Sequence, residues 1–247
     1  MLVEIITIGD ELLIGQVVDT NSAWMGQELN LAGFKVKQIT SISDDEQAIL
    51  TSLDYAKKRA DVILITGGLG PTKDDITKIT LCKYFKTQLV FNQPAYDNIE
   101  ILFKRRGREV TLTNRKQAEV PENCMVLQNK NGTAPGMLFE QDGKVFVSMP
   151  GVPYEMKSMM TDDVLPFLKK KFTTPKIIHK TIITQGIGES FLSDMIADWE
   201  NNLPANMKLA YLPSSSMVRL RLTASGNALH LAHEVDQKLK KVLPIIE

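Results

Sequence analysis

The chain has 247 residues, 43% of them hydrophobic, with 29 basic and 29 acidic side chains. That length allows one large domain or a medium domain with a small companion, and the apolar content supports a buried core rather than disorder. The balanced charge gives no global field to attract nucleic acid, and no apolar run of about 18 residues predicts a membrane span.

Met1 to Ile6 leads almost directly to Gly9-Asp10-Glu11, with no charged lead, long apolar core or cleavage site, so no secretory leader is expected. Val3 to Ile8 reads as a strand buried on both faces. Met25, Leu29 and Ala32 then recur at helical spacing and stop at Gly33. Phe34 to Ile42 reads as a second strand. Asp44 or Asp45 can cap a helix with Ile49, Leu53 and Ala56 on its inner face, and Val62 to Ile65 is a third strand ending at Thr66. This β-α-β-α-β order predicts an α/β fold with a doubly wound, mainly parallel sheet.

The middle of the chain is less regular. Tyr96, Ile99 and Phe103 predict one helix and Thr113 to Glu119 a short second one. Met137 to Glu140 and Lys144 to Ser148 flank Gln141-Asp142-Gly143, a hairpin pattern. Met156, Met160, Val164 and Phe167 place one core stripe on a helix after Pro153. Lys169-Lys170-Lys171 and Thr173-Thr174-Pro175 read as a linker, which divides the chain into a domain of residues 1–170 and a module of residues 171–247. In that module Lys176 to Thr184 is a strand and Leu192, Ile196 and Trp199 mark a helix. Lys208 to Leu212 and Met217 to Ala224 form a hairpin around Pro213-Ser214-Ser215, with Arg219 and Arg221 outward. Ala228, Leu231, Val235, Leu239 and Val242 complete a small α+β unit.

The segment richest in chemistry is Thr66-Gly67-Gly68-Leu69-Gly70-Pro71-Thr72-Lys73-Asp74-Asp75. Three glycines in four residues let backbone amides approach a ligand, and a helix opening near Lys73 would aim its free N–H groups and positive dipole end at the same point. Phosphate is the natural occupant, and the carboxyl end of a parallel strand is where such sheets bind ligands. The plain alternative is a tight turn with Asp74 or Asp75 as helix cap. Two carboxylates beside a diphosphate repel it unless a cation intervenes, so a divalent ion such as magnesium is expected there.

Gly9-Asp10-Glu11-Leu12-Leu13-Ile14-Gly15 and Asp19-Thr20-Asn21 leave the first strand at the same sheet edge. Glu11 is a candidate metal ligand or base, and Asp19 to Asn21 can contact a sugar or cap the next helix. Asp44, Asp45 and Glu46 follow the second strand at that edge, with helix capping as their plain reading. Asn131-Gly132-Thr133-Ala134-Pro135-Gly136 and Met149-Pro150-Gly151-Val152-Pro153-Tyr154-Glu155-Met156 are two more turns placed to wall a pocket. His230 and His233 share a helix face, but no third ligand joins them. Cys82 and Cys124 follow no metal spacing and fit a reducing compartment, so a cytoplasmic location is expected.

These segments, with Thr77, Asn114-Arg115-Lys116-Gln117-Ala118 and, in the second module, Gly186-Ile187-Gly188-Glu189-Ser190, match in order those of one family. The chain resembles the CinA family of competence/damage-inducible proteins over nearly its whole length. Its first domain is similar to the molybdopterin-binding fold of MoaB/MogA-like proteins, and its second module is similar to the small KH-like domain that follows it in the family. The resemblance implies a metal-dependent ADP-ribose pyrophosphatase that yields AMP and ribose 5-phosphate, with Mg²⁺, Mn²⁺ or Co²⁺, and a homodimer.

It carries Asp75 and Asp45 as the pocket's two aspartates, at the metal, and these with Glu11, named above from its position, are the catalytic candidates. Gly9, Asp10, Asn21, Thr66, Gly67, Gly68, Leu69, Gly70, Thr72, Thr77, Gly132, Thr133, Pro150, Gly151, Val152 and Glu155 are its substrate-binding candidates. Many members carry a further domain that deamidates nicotinamide mononucleotide. This sequence stops at Glu247, after the KH-like module, so that activity is not carried over. A pterin- or nucleotide-binding module without catalysis is the alternative. Nucleic-acid binding is not expected, because Gly186-Ile187-Gly188-Glu189 has the wrong spacing for a G-x-x-G loop and carries an acid.

Overall fold

The computed structural model describes residues 1–214, 217–226 and 228–246. The chain divides into two compact units, Met1–Asn30 with Phe34–Thr173, and Leu31–Gly33 with the chain from Thr174 onward.

The first unit is built on a six-stranded sheet in the order β2-β1-β3-β8-β7-β6, from β1 (Leu2–Ile8), β2 (Lys35–Ile42), β3 (Val62–Thr66), β6 (Met125–Leu127), β7 (Gly136–Gln141) and β8 (Lys144–Met149). β2, β1, β3 and β8 run parallel, whereas β7 and β6 are antiparallel additions. The mainly parallel, doubly wound sheet therefore matches the sequence reading. Every residue of β3 is buried, and each large aliphatic side chain so placed contributes about 1.5–3 kcal/mol. β1 is not wholly apolar. Glu4 is buried within it, and Arg59 holds both its carboxylate oxygens at 2.6 and 3.1 Å. A buried charge is tolerable only with such a partner.

The hairpin reading is met by β7 and β8, and Asp142 and Gly143 both take the positive φ that the turn requires. A second, two-stranded sheet of β4 (Leu89–Phe91) and β5 (Glu119–Pro121) is absent from the sequence reading. So is the four-residue helix α1 (Asp10–Leu13). These segments are too short to show a period. Helix α2 spans Thr20–Leu31 and α3 spans Glu46–Arg59, while α5 covers Gln93–Arg105 and α6 covers Leu112–Lys116.

Three expectations need correction. The helix after the glycine turn, α4 (Thr77–Tyr84), begins four residues beyond Lys73, because residues 71–76 form turns closed on Asp75. The helix after Pro153 is α7 (Pro153–Met159) followed by a π turn (Met160–Val164) and α8 (Leu165–Lys171). The wider π turn shifts the stripe, so Leu168 rather than Phe167 is fully buried. Lys169 to Lys171 are the last turn of α8 and not linker, where their charge suits the negative end of the helix.

The second unit contains β9 (Lys176–Gln185), α9 (Glu189–Asn201), β10 (Met207–Ser214), β11 (Met217–Gly226) and α10 (Ala228–Ile246), with the sheet order β10-β11-β9. Val218, Leu220 and Leu222 face its core with Leu192, Ile196 and Trp199, as the alternation predicts. Ser215, at the tip expected for the β10–β11 hairpin, and the side chain of Ala228 lie outside the described residues, as does Glu247.

Candidate active site

Parallel strands end at one edge, and the loops leaving β1, β3 and β8 meet there. They enclose a cavity of about 560 Å³ in the first unit. Antiparallel β7 starts at the same edge, which brings the 131–135 turn into the wall. The cavity is lined by Ile8, Gly9 and Glu11, by Asp44, by Gly67 to Pro71 with Asp74 and Asp75, by Gln117, Thr133 and Ala134, and by Pro150 to Val152 with Glu155.

The glycine turn is shaped by close packing. A Cβ on Gly67 would overlap the carbonyl of Ile8, and one on Gly68 would overlap the Thr77 hydroxyl, and both glycines have positive φ. Only glycine fits there. The turn also closes on one of its own side chains. Asp75 accepts from the Gly70 amide at 2.8 Å and from the amide and hydroxyl of Thr72. The Thr77 amide, at the start of α4, donates to the Gly68 carbonyl at 3.2 Å. Gly70, Thr72 and the helix start are therefore already engaged. The amides of Gly68 and Leu69, and those of Gly151 and Val152 in the loop packed against Gly67, have no protein acceptor among the described residues. Those amides are among the donors left for a bound anion.

The carboxylates fall into separate roles. Asp45 is the N-cap of α3, accepting from the Ala48 amide at 2.9 Å, and does not line the cavity. Its neighbour Asp44 does, with Oδ1 turned toward Gly68 and Oδ2 accepting from the Asp10 amide at 3.3 Å. Successive residues leaving a strand point to different sides, so one caps while the other faces the cavity. Burial lifts the Asp44 carboxyl above its ordinary 3.8. The Asp10 amide opposes this, and the charges of Asp10, Glu11 and Asp75 add to it. Glu11 folds its carboxylate back over Gly9. Asp10 is exposed and acts on the site through its amide.

Asn21 is buried at the side of the cavity. Its Nδ2 donates to the Gly151 carbonyl at 2.7 Å and to Thr66 Oγ1 at 3.4 Å, while the Thr66 hydroxyl donates to the Pro150 carbonyl at 2.8 Å. These two residues fix the 150–152 loop from below and line an adjoining slot of about 100 Å³. Asp19 caps α2 through the Ser22 amide, its plain reading. Thr77 lies fully buried behind Gly68, and Thr72 holds Asp75; neither lines the cavity. Gly132 lies behind Glu155, where a Cβ would collide with the carboxylate, and Thr133 reaches the cavity.

Several residues with a part here are not among the site candidates above, although Gln117 lies in the 114–118 segment that carries the resemblance. Gln117 is buried and lines the cavity. Asn129, also buried, ties the 131–134 turn to Glu155. Lys78 donates to the carbonyls of Lys116 at 3.1 Å and Glu119 at 2.7 Å, anchoring the segment that carries Gln117, and burial lowers its pKa. An asparagine before the glycine at 132 was the one cue available for Asn129.

The electrostatics are one-sided. Glu11, Asp44, Asp74, Asp75 and Glu155 line the cavity, and no lysine, arginine or histidine is among its described lining residues. No three histidine, cysteine or acidic side chains converge into a metal-ligand group among the described residues. His233, instead of pairing with His230, meets Gln237 at 2.8 Å. No helix among the described residues is long and apolar enough to cross a membrane.

Residues 4–170 match the family model described as "Probable molybdopterin binding domain", and residues 179–244 match the "Damage-inducible protein CinA KH domain". A CinA-like protein of Cytophaga hutchinsonii is 51% identical over 99% of this chain and 59% of its own length. One of Flavobacterium psychrophilum is 49% identical over 100% of this chain and 59% of its own length. The chain thus spans about 59% of the length of these curated relatives. A crystal structure of CinA from Thermoplasma acidophilum superposes with a TM-score of 0.61 at 31% identity, covering 69% of this chain and 98% of that one. The glycine turn, the acids around it and the two matched models agree, and the chain belongs to the CinA family, with a molybdopterin-binding-like domain followed by the CinA KH domain.

Proposed function

We propose that the first unit hydrolyses the diphosphate of ADP-ribose, or of a closely similar nucleoside diphosphate compound, to AMP and ribose 5-phosphate with a divalent cation. The observation that carries this reading is the lining itself, in which five carboxylates and a set of unpartnered amides face one cavity with no cationic side chain. The amides favour a phosphate and the carboxylates repel it, and a diphosphate that brings its own cation satisfies both. Asp44 and Glu11, which line the cavity, would hold it, and it would neutralise charge on the diphosphate.

The protein's own part follows from position. Amides of Gly68, Leu69, Gly151 and Val152 hold phosphate oxygens, and the carboxylate of Glu155 takes a proton from the attacking water. Water adds to one phosphorus, the bond from that phosphorus to the bridging oxygen breaks, and the two monophosphates leave. Asp75 shapes the turn, and Asp45 secures α3 beneath it.

Incubation with ADP-ribose and Mg²⁺, Mn²⁺ or Co²⁺ should release AMP. Absence of AMP with every cation at high enzyme concentration overturns the reading. A second reading, a binding module without turnover, rests on the same glycine turn and fold, which serve retention of a ligand equally well. Tight retention of a pterin or nucleotide unchanged would select it.

A further inference from the structure

Asn129 has every polar position of its side chain engaged. Nδ2 donates to Glu155 Oε2 at 2.7 Å and to the Ala134 carbonyl at 2.9 Å. Oδ1 accepts from the Asn131 amide at 3.1 Å and the Gly132 amide at 2.9 Å. The orientation of the carboxamide is thereby fixed, because a flip would set Oδ1 against two acceptors and Nδ2 against two donors. The residue is 3% exposed, and its own carbonyl accepts from Asn98 Nδ2 at 2.7 Å, which ties it to α5.

Glu155 is 9% exposed and sits in the first turn of α7. Its carboxylate lies on Gly132, where no side chain could stand, and among the described residues Asn129 is its hydrogen-bond donor. That bond holds Oε2 and leaves Oε1 as the oxygen without a protein partner on a residue that lines the cavity. A single donor on one oxygen fixes the plane of a carboxylate and selects which lone pairs face the ligand.

We propose that Asn129 is the positioning residue for Glu155, and that this buried pair, on the wall away from the glycine turn, aims the base at the attacking water. The proposal rests on the hydrolytic reading above.

Three variants test it by turnover and melting temperature. Asn129→Asp retains the acceptor for the Asn131 and Gly132 amides, loses the donor to both Glu155 and the Ala134 carbonyl, and sets a second carboxylate against Glu155. Glu155→Gln can still accept from Asn129 through its side-chain carbonyl. The double variant reverses donor and acceptor and has the net charge of the parent. The expected results are a lowered melting temperature and an about 100-fold loss of kcat for Asn129→Asp, and a near-parental melting temperature with an about 100-fold loss for Glu155→Gln. The double variant should regain melting temperature and remain as inactive as Glu155→Gln.

Parental turnover in a folded Asn129→Asp variant, or turnover regained in the double variant, overturns the proposal while leaving hydrolysis standing. No AMP from the parent chain with any cation instead overturns the hydrolytic reading, and this assignment with it. Should Asn129→Asp alone not fold, the comparison of Glu155→Gln with the double variant decides. A folded, inactive double variant supports the pairing, and a double variant that cannot fold overturns it.

Discussion

On one wall of the cavity the amides of Gly70 and Thr72 close on Asp75, a side chain of the same loop five and three residues away. On another the amides of Asn131 and Gly132 close on Asn129, which also reaches 26 residues along the chain to Glu155. Asn21 spans 130 residues to hold Gly151. The first wall is local and half exposed, and its ten residues announce themselves by composition. The second is buried and assembled from distant asparagines. Glycine density thus marks where backbone can approach a ligand, whereas the orientation of Glu155 depends on an amide side chain 26 residues away.

The strongest challenge to this contrast is to exchange the acids. Asp44→Asn should reduce cation-dependent AMP release on the order of 10²–10³-fold without unfolding the protein, because it removes the half-buried carboxylate beside Gly68. Asp45→Ala, measured alongside, should lower helix and protein stability by about 1 kcal/mol, as expected for loss of an N-cap, and leave kcat nearly unchanged. Equal losses of turnover would return Asp45 to the metal role that the resemblance gave it.

Next in size is Gly132→Ala. Its Cβ cannot share space with the Glu155 carboxylate, so urea denaturation should show a loss of about 1–3 kcal/mol together with reduced turnover. A neutral result would mean the second wall yields easily. Asp75→Ala should have a smaller effect, an about tenfold weaker nucleotide affinity in calorimetry, corresponding to about 1.4 kcal/mol. A loss as large as that of Asp44→Asn would show that Asp75 holds the cation as well as the turn.

The smallest expected effect is in pH. With its carboxyl raised above 3.8, Asp44 keeps its proton in the folded chain where the unfolded chain has lost it. Stability therefore falls slightly as pH rises from 3.8 through the folded value. Cation affinity has the opposite sense, since only the ionised form attracts the ion, and it should weaken on acidification earlier than an ordinary carboxylate would allow. Titration of Mn²⁺ binding against pH in the parent and in Asp44→Asn checks this.

Periodicity and punctuation determined a great deal of this protein. Buried strands at Val3–Ile8 and Val62–Ile65, the Asp142-Gly143 hairpin, the break near Pro175 and the glycine turn all follow from side-chain spacing and from backbone angles that few residues can adopt, which are local properties. Tertiary structure decided which of two adjacent aspartates lines the cavity, that the helix after the turn starts at Thr77, and that Gln117 and the Asn129–Glu155 pair come to its wall. Those outcomes depend on which loops meet at the carboxyl edge of the sheet, and on hydrogen bonds between groups brought together only when the strands align.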